Sequence, residues 1–148
     1  MTKHDEEDLL ILNSLRENAK ISLRDLAKKT GISFVTVMKR IKKLEKEEII
    51  KQYTTLMNYE QLGYDIHVLI QMRVSNGKLF EVENTIAKTP NVYAVYDVTG
   101  DFDVVVLARF KTTRQLDIFV KKMQQMDFVE RTSTRFILNT IKEESMQA

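Results

Sequence analysis

Ser22–Glu47, SLRDLAKKTGISFVTVMKRIKKLEKE, reads as two short amphipathic helices around a single glycine. Ser22 is a good N-cap for a helix from Leu23 to about Thr30, with Leu26 and Ala27 inward, and Gly31 can take the left-handed conformation that ends it. Ser33 caps the next helix. Its apolar residues Phe34, Val37, Ile41 and Leu44 fall at the three-and-four spacing of one buried stripe, while Val35, Thr36, Lys39, Lys42, Lys43 and Lys46 lie around the opposite side. One face is core and the other is mostly basic.

Working outward, Asp5 to about Asn18 predicts a preceding helix. Leu9, Leu12 and Leu15 make its buried stripe, Leu10 and Ile11 widen it, and the acidic run Asp5, Glu6, Glu7, Asp8 suits the positive end of the helix dipole. Downstream, IIKQYTTLMNY is rich in strand formers and predicts a small wing or connecting strand. Three helices and a wing make a small winged helix-turn-helix. Such a unit binds DNA for a dimensional reason: the major groove admits one helix, and the helix before it braces the reader across the backbone. Ser33, Val35, Thr36 and Lys39, near the start of the second helix, are the candidates nearest the bases; Arg40 and Lys43 fall to phosphates, and Ser22 joins them as a DNA-binding candidate. Charge distribution agrees. Leu9 to Glu60 carries eleven Lys and Arg against six Asp and Glu, whereas Gln61 to Ala148 has eleven of each. On these residues alone, a plain three-helix bundle with solvated lysines stays open as the alternative.

The second half has a different texture. DIHVLIQMRV, Asp65–Val74, alternates with Ile66, Val68, Ile70, Met72 and Val74 on one face, as a half-buried strand does. A helix is expected from about Lys78 to Lys88, stopped at Thr89-Pro90-Asn91. A strand over VYAVYDVT follows, then a tight turn at Gly100-Asp101-Phe102 into the strand DVVVLARF. A helix over Thr113–Met126 and a last strand in FVERTSTRFILNTI complete two strand-helix-strand units. The fold class expected is therefore α+β: a winged helix-turn-helix over 1–50, a wing or hinge linker over 51–62, and a ferredoxin-like βαββαβ domain over 63–148. The bare side of a four-stranded sheet needs cover. With Leu69, Tyr93, Val95 and Ile137 assigned to it, pairing with a second copy is the simplest solution.

The N-terminal pattern DEEDLLILNSLRENAKISLRDLAKKTGISFVTVMKRIKKLEKEEII, followed by VTGDFDVVV and RTSTRFIL, resembles the Lrp/AsnC (feast/famine) family of prokaryotic transcription regulators. The resemblance spans nearly the whole chain. It implies a winged helix-turn-helix joined by a hinge strand to a ferredoxin-like domain that dimerises, assembles into tetramers or octamers, and binds a free amino acid between dimers. The implied effector residues are Gly100, Asp101, Phe102 and Asp103, with Thr132 and Thr134. A glycine turn lets a ligand approach the backbone, Asp103 offers a negative charge to an ammonium, and the two threonines share a sheet face and offer hydroxyls. Taken alone, the same residues also suit a hairpin turn and a strand. The sequence departs from the family at Glu48, where glycine is usual, and at Phe102, where tyrosine is frequent.

Other classes are disfavoured. Zero cysteines remove disulfides and thiolate metal sites, and His4 and His67 are too few for a metal cluster. No cofactor is expected. No paired carboxylates stand with a nucleophile or base to carry catalysis, so an enzyme is not expected. No apolar run is long enough for a membrane span, and no secretory pattern opens the chain, so the cytoplasm is the expected location. The expectation is a sequence-specific, amino-acid-responsive regulator of double-stranded DNA; an architectural DNA-binding protein without a ligand is the alternative.

Overall fold

The computed structural model describes residues 5–75 and 77–148; His4 lies outside them. The chain divides into two compact units, Met1–Leu56 with Lys142–Ala148, and Met57–Ile141.

The first unit holds three helices, α1 (Glu6–Glu17), α2 (Leu23–Thr30) and α3 (Phe34–Lys46). Each has an N-cap whose side chain accepts a hydrogen bond from a free backbone N–H of the first turn: Asp5 from Asp8, Ser22 from Asp25, and Ser33 from Thr36. Gly31 ends α2 at φ 73°, in the left-handed region expected of it. The core between the helices is Ile11, Leu26, Ile32, Val37, Ile41 and Leu44, with Leu12, Leu15, Ile21, Leu23, Ala27 and Ile50 packed around it. Complete burial of a side chain such as Leu26 stabilises by about 1.5–3 kcal/mol.

Three expectations shift. On α1 the buried line is Asp8, Ile11 and Ser14, while Leu10 is 51% exposed. Asp8 lies on that line, and its buried carboxylate is met by the guanidinium of Arg40 on α3 at 2.8 Å. Phe34 is half-exposed at the helix start, one turn outside the core it was assigned to. The segment after α3 forms no strand: residues 51–58 have no ladder. A strand needs a neighbouring edge for its N–H and C=O groups. Tyr53 is instead fixed by its hydroxyl, which donates to Glu45 Oε1 on α3 at 2.9 Å.

The helix α3 closes at Glu48, whose φ is 57°. Ile49 N–H donates to Leu44 O at 2.9 Å and Glu48 N–H to Glu45 O at 3.1 Å. That is the double bond pattern of a left-handed helix stop, built here around a glutamate.

The second unit runs β1 (Ile66–Val74), α4 (Leu79–Ala87), β2 (Val92–Asp97), β3 (Val104–Phe110), α5 (Thr113–Gln124), β4 (Val129–Phe136). The sheet is fully antiparallel, in the order β2-β3-β1-β4. It is the expected ferredoxin-like βαββαβ arrangement. Alternation fixes its two faces. Val68, Ile70, Met72 and Val74 of β1, with Val104, Val106, Ala108 and Phe110 of β3, pack under Val82 and Ile86 of α4 and Leu116, Phe119 and Met123 of α5. The other face carries His67, Leu69, Gln71 and Arg73 of β1, and Val105, Leu107 and Arg109 of β3. Tyr96 of β2 stands opposite Val105. Val95, assigned to the bare side, faces the core instead, since it stands opposite Val106 and the β2 register shifts between Val92 and Ala94. A shift of one residue reverses every side chain beyond it.

The tail also departs from the expected boundary: Lys142–Ala148 belongs with the first unit. Asn13 of α1 binds both backbone groups of Ala148, donating to its carbonyl at 3.1 Å and accepting from its N–H at 3.0 Å.

Candidate functional site

The first unit presents α3 by one side. At about 100° per residue, Val35, Lys39, Lys42 and Lys46 form a single ridge with Lys43 beside it, and Val37, Ile41 and Leu44 form the buried back. Val35 is 53% exposed and stands on this ridge rather than in the core. Ser33 and Lys39 are exposed. Thr36 is half-buried, and its hydroxyl lies 2.8 Å from that of Ser33, within the cap itself. Ser22 is likewise occupied by capping, accepting from Asp25 N–H at 3.1 Å and donating to the Asp25 carboxylate at 2.6 Å.

Arg40 is placed differently from the phosphate role assigned to it. Its guanidinium donates to Asp5 and to Asp8 at 2.8 Å and pairs with Glu7. Asp8 is 1% exposed, so its carboxylate depends on this cation. The Asp8 hydrogen bond foremost, opposed by burial, raises the Arg40 pKa further above its ordinary value. Asp5 is held below the usual carboxylate range, chiefly by the Asp8 N–H and then by Arg40. Arg40 therefore ties α3 to the start of α1. The acidic run, explained at first by the helix dipole, is half of an ion-pair cluster. The sequence signal was available: acidic residues one turn apart on α1 and a lone arginine among the lysines of α3. Lys43 reaches the edge of this cluster, 3.8 Å from Asp8 Oδ2, with its side chain 48% exposed.

In the second unit the loop over Gly100–Asp103 joins β2 to β3. Gly100 takes φ 120° in an open setting where nothing lies within 4 Å of an added Cβ. Asp103 is spoken for by the fold: its carboxylate accepts from Val74 N–H at 2.8 Å and its N–H donates to Met72 O at 2.9 Å. Arg73 donates to Asp101 O at 3.4 Å, and the Arg131 guanidinium stands 5.6 Å from the centre of the Phe102 ring. These two arginines, cross-strand partners on β1 and β4, were absent from the sequence-based set because only register brings them to the turn. Thr132 and Thr134 share a face as expected, but it is the helix-covered one, opposite Met72 and Ile70. Gln124 of α5 donates to the Thr132 hydroxyl at 2.9 Å. Within one chain the loop and the threonines lie at the same end of the sheet.

A polar and aromatic cluster was also unforeseen. His67 Nε2 lies 2.7 Å from the Tyr93 hydroxyl. The Arg109 guanidinium lies near both the Tyr59 and Tyr93 rings, 5.2 and 5.7 Å from their centres. It links the turn at Tyr59 to β3.

Residues 5–51 match the model of winged helix-turn-helix DNA-binding domains, and residues 67–147 match that of the Lrp/AsnC ligand binding domain. These two domains together are those of a DNA-binding transcriptional regulator of the Lrp/AsnC type. An uncharacterized HTH-type transcriptional regulator of Pyrococcus abyssi is 39% identical over 140 residues, covering 95% of each chain. The chain belongs to the Lrp/AsnC family. Among solved structures, Escherichia coli AsnC matches with a TM-score of 0.90 at 23% identity, over 99% of this chain and 100% of that one. Transcriptional regulator NMB0573 of Neisseria meningitidis, solved as an L-Met complex, matches with a TM-score of 0.89 at 24% identity, over 97% and 95%. At these identities the likeness concerns the fold.

Proposed function

We propose that this chain is a sequence-specific regulator that works in the cytoplasm as a homodimer, assembled further into tetramers or octamers. In this reading its grip on double-stranded DNA responds to a free amino acid. The observation that carries the reading is the two-sidedness of α3: apolar residues lock its back, while Val35, Lys39, Lys42, Lys43 and Lys46 stand outward. Lys43 anchors a phosphate and Lys39 reaches bases, with the caps at Ser22 and Ser33 turning helix N-termini toward the backbone. Arg40 holds the reader in place. Dimerisation uses the bare sheet face, where Leu69, Val105 and Leu107 are only partly covered in one chain.

The effector is placed at Gly100–Asp103, with Thr132 and Thr134 contributed through assembly. The exposed glycine turn beside Arg73 and Arg131 suits a ligand carboxylate, and the L-Met bound to the Neisseria protein supports the class of ligand. Effector binding favours one assembly, and the assembly sets the spacing between pairs of reader helices. A thermal-shift screen of the twenty amino acids on the full chain tests this: a selective stabiliser is expected. If no amino acid changes melting temperature, assembly mass or DNA affinity, a constitutive or architectural DNA-binding protein remains.

A further inference from the structure

Near the start of α3 the residues assigned to the bases are Ser33, Val35, Thr36 and Lys39, with Arg40 assigned to phosphates. The structure occupies Ser33, Thr36 and Arg40 within the protein itself. The Thr36 hydroxyl is engaged with Ser33 in the cap, and the Arg40 guanidinium is engaged by Asp5, Glu7 and Asp8. Val35 and Lys39 remain, four residues and therefore about 6 Å apart along the helix axis. Lys39 is a flexible cation able to serve bases or phosphates. Val35 is stiff, β-branched, without donor or acceptor, and 53% exposed on the ridge. An apolar side chain at that place reads no hydrogen-bonding edge. In the major groove the one apolar group offered by a base is the 5-methyl of thymine.

We propose that Val35 is the specificity-determining residue of α3 and that it selects a thymine in each half-site through the thymine 5-methyl group. This rests on the reading of α3 as the groove helix and adds which base its apolar residue takes. Val35 lies outside the core, so its replacement leaves the fold intact. One methyl removed from water against Val35 gives about a fourfold preference for thymine over uracil at that position.

The test uses the full-length chain and a random-sequence duplex pool. After selection, each thymine of the enriched sequence is replaced in turn by uracil, which keeps the Watson–Crick pairing and removes only the methyl. For the wild type, one thymine per half-site is expected to lose about fourfold in affinity on this change. For Val35→Ala, with an unchanged melting temperature, the same change is expected to be silent. Replacing that thymine by cytosine and then by 5-methylcytosine restores part of the binding for the wild type and none for Val35→Ala. Uracil silent at every position with the wild type, or an equal methyl effect in Val35→Ala, overturns the proposal while leaving α3 as the reader. A pool in which no sequence is enriched overturns the reading of α3 itself.

Discussion

Glu48 sits where the stop of α3 demands a left-handed residue, with φ 57°. For a residue with a Cβ this conformation costs about 1–2 kcal/mol. Glycine removes that cost but gives back about 0.5–1 kcal/mol through the greater freedom of the unfolded chain. Glu48→Gly should therefore stabilise the first unit by about 0.5–1 kcal/mol. For a unit of this size that raises the melting temperature by about 2–8 °C. Its backbone bonds, Ile49 N–H to Leu44 O and Glu48 N–H to Glu45 O, are kept in the variant. A second contribution must be separated, because a carboxylate near a helix C-terminus is unfavourable by about 0.3–1 kcal/mol at low salt. Glu48→Gln removes the charge and keeps the Cβ, so it reports that part alone; Glu48→Ala serves as a second Cβ-bearing control. Circular dichroism melts of the full chain at high salt should rank glycine above glutamine, alanine and wild type. Equal melting temperatures for Glu48→Gly and Glu48→Ala would refute the conformational account.

Lys43→Ala should weaken binding to all DNA sequences about equally and lower the salt slope by about one, whereas Arg40→Gln should cost about 3 kcal/mol of folding stability by leaving the buried Asp8 without its main partner; salt titrations and urea melts check the pair. Leu107→Asp puts a charge on the bare sheet face and should yield a monomeric mass by light scattering at micromolar concentration, where the wild type gives at least a dimer. The Tyr53 hydroxyl, chiefly through burial and then through its bond to Glu45, is pushed up to about 12. Since the folded pKa lies above the unfolded one, the associated stability is present in full below pH 10 and fades as pH rises through about 12. Tyr53→Phe should delete a step near pH 12 from a tyrosinate absorbance titration, and loss of a step near pH 10 instead would count against the raised pKa.

Much of the fold was legible because short-range rules decide it. Ser22, Gly31 and Ser33 bound α2 and α3 where capping chemistry put them, and the period-two run from Ile66 to Val74 gave β1 and its buried face. The misreadings all concern partners distant in sequence. Leu10 and Phe34 satisfy a helical stripe yet stand outside the core, which gathers around Ile11 and Val37 instead. Val95 changed face because a register shift in β2 cannot be read from composition. IIKQYTTLMNY has strand-forming residues but finds no edge within its own chain, and propensity without a partner does not make a ladder. The site divides likewise. Exposure of Val35 and Lys39 followed from periodicity, whereas the withdrawal of Arg40, the Asp103 bond to Val74 N–H and the approach of Arg73 and Arg131 depend on tertiary contacts.

The central claim is that α3 reads sequence and that pairing of chains sets the spacing of what it reads. A footprint of the full chain on the selected duplex, with affinity for selected and random DNA compared at one fixed salt concentration, addresses both parts at once. The account predicts two protected half-sites about one helical turn apart, or a multiple of it, and a preference for selected DNA of about a thousandfold or more. A single uniform protection with equal affinity for random DNA would contradict it, leaving a protein that binds DNA by charge alone.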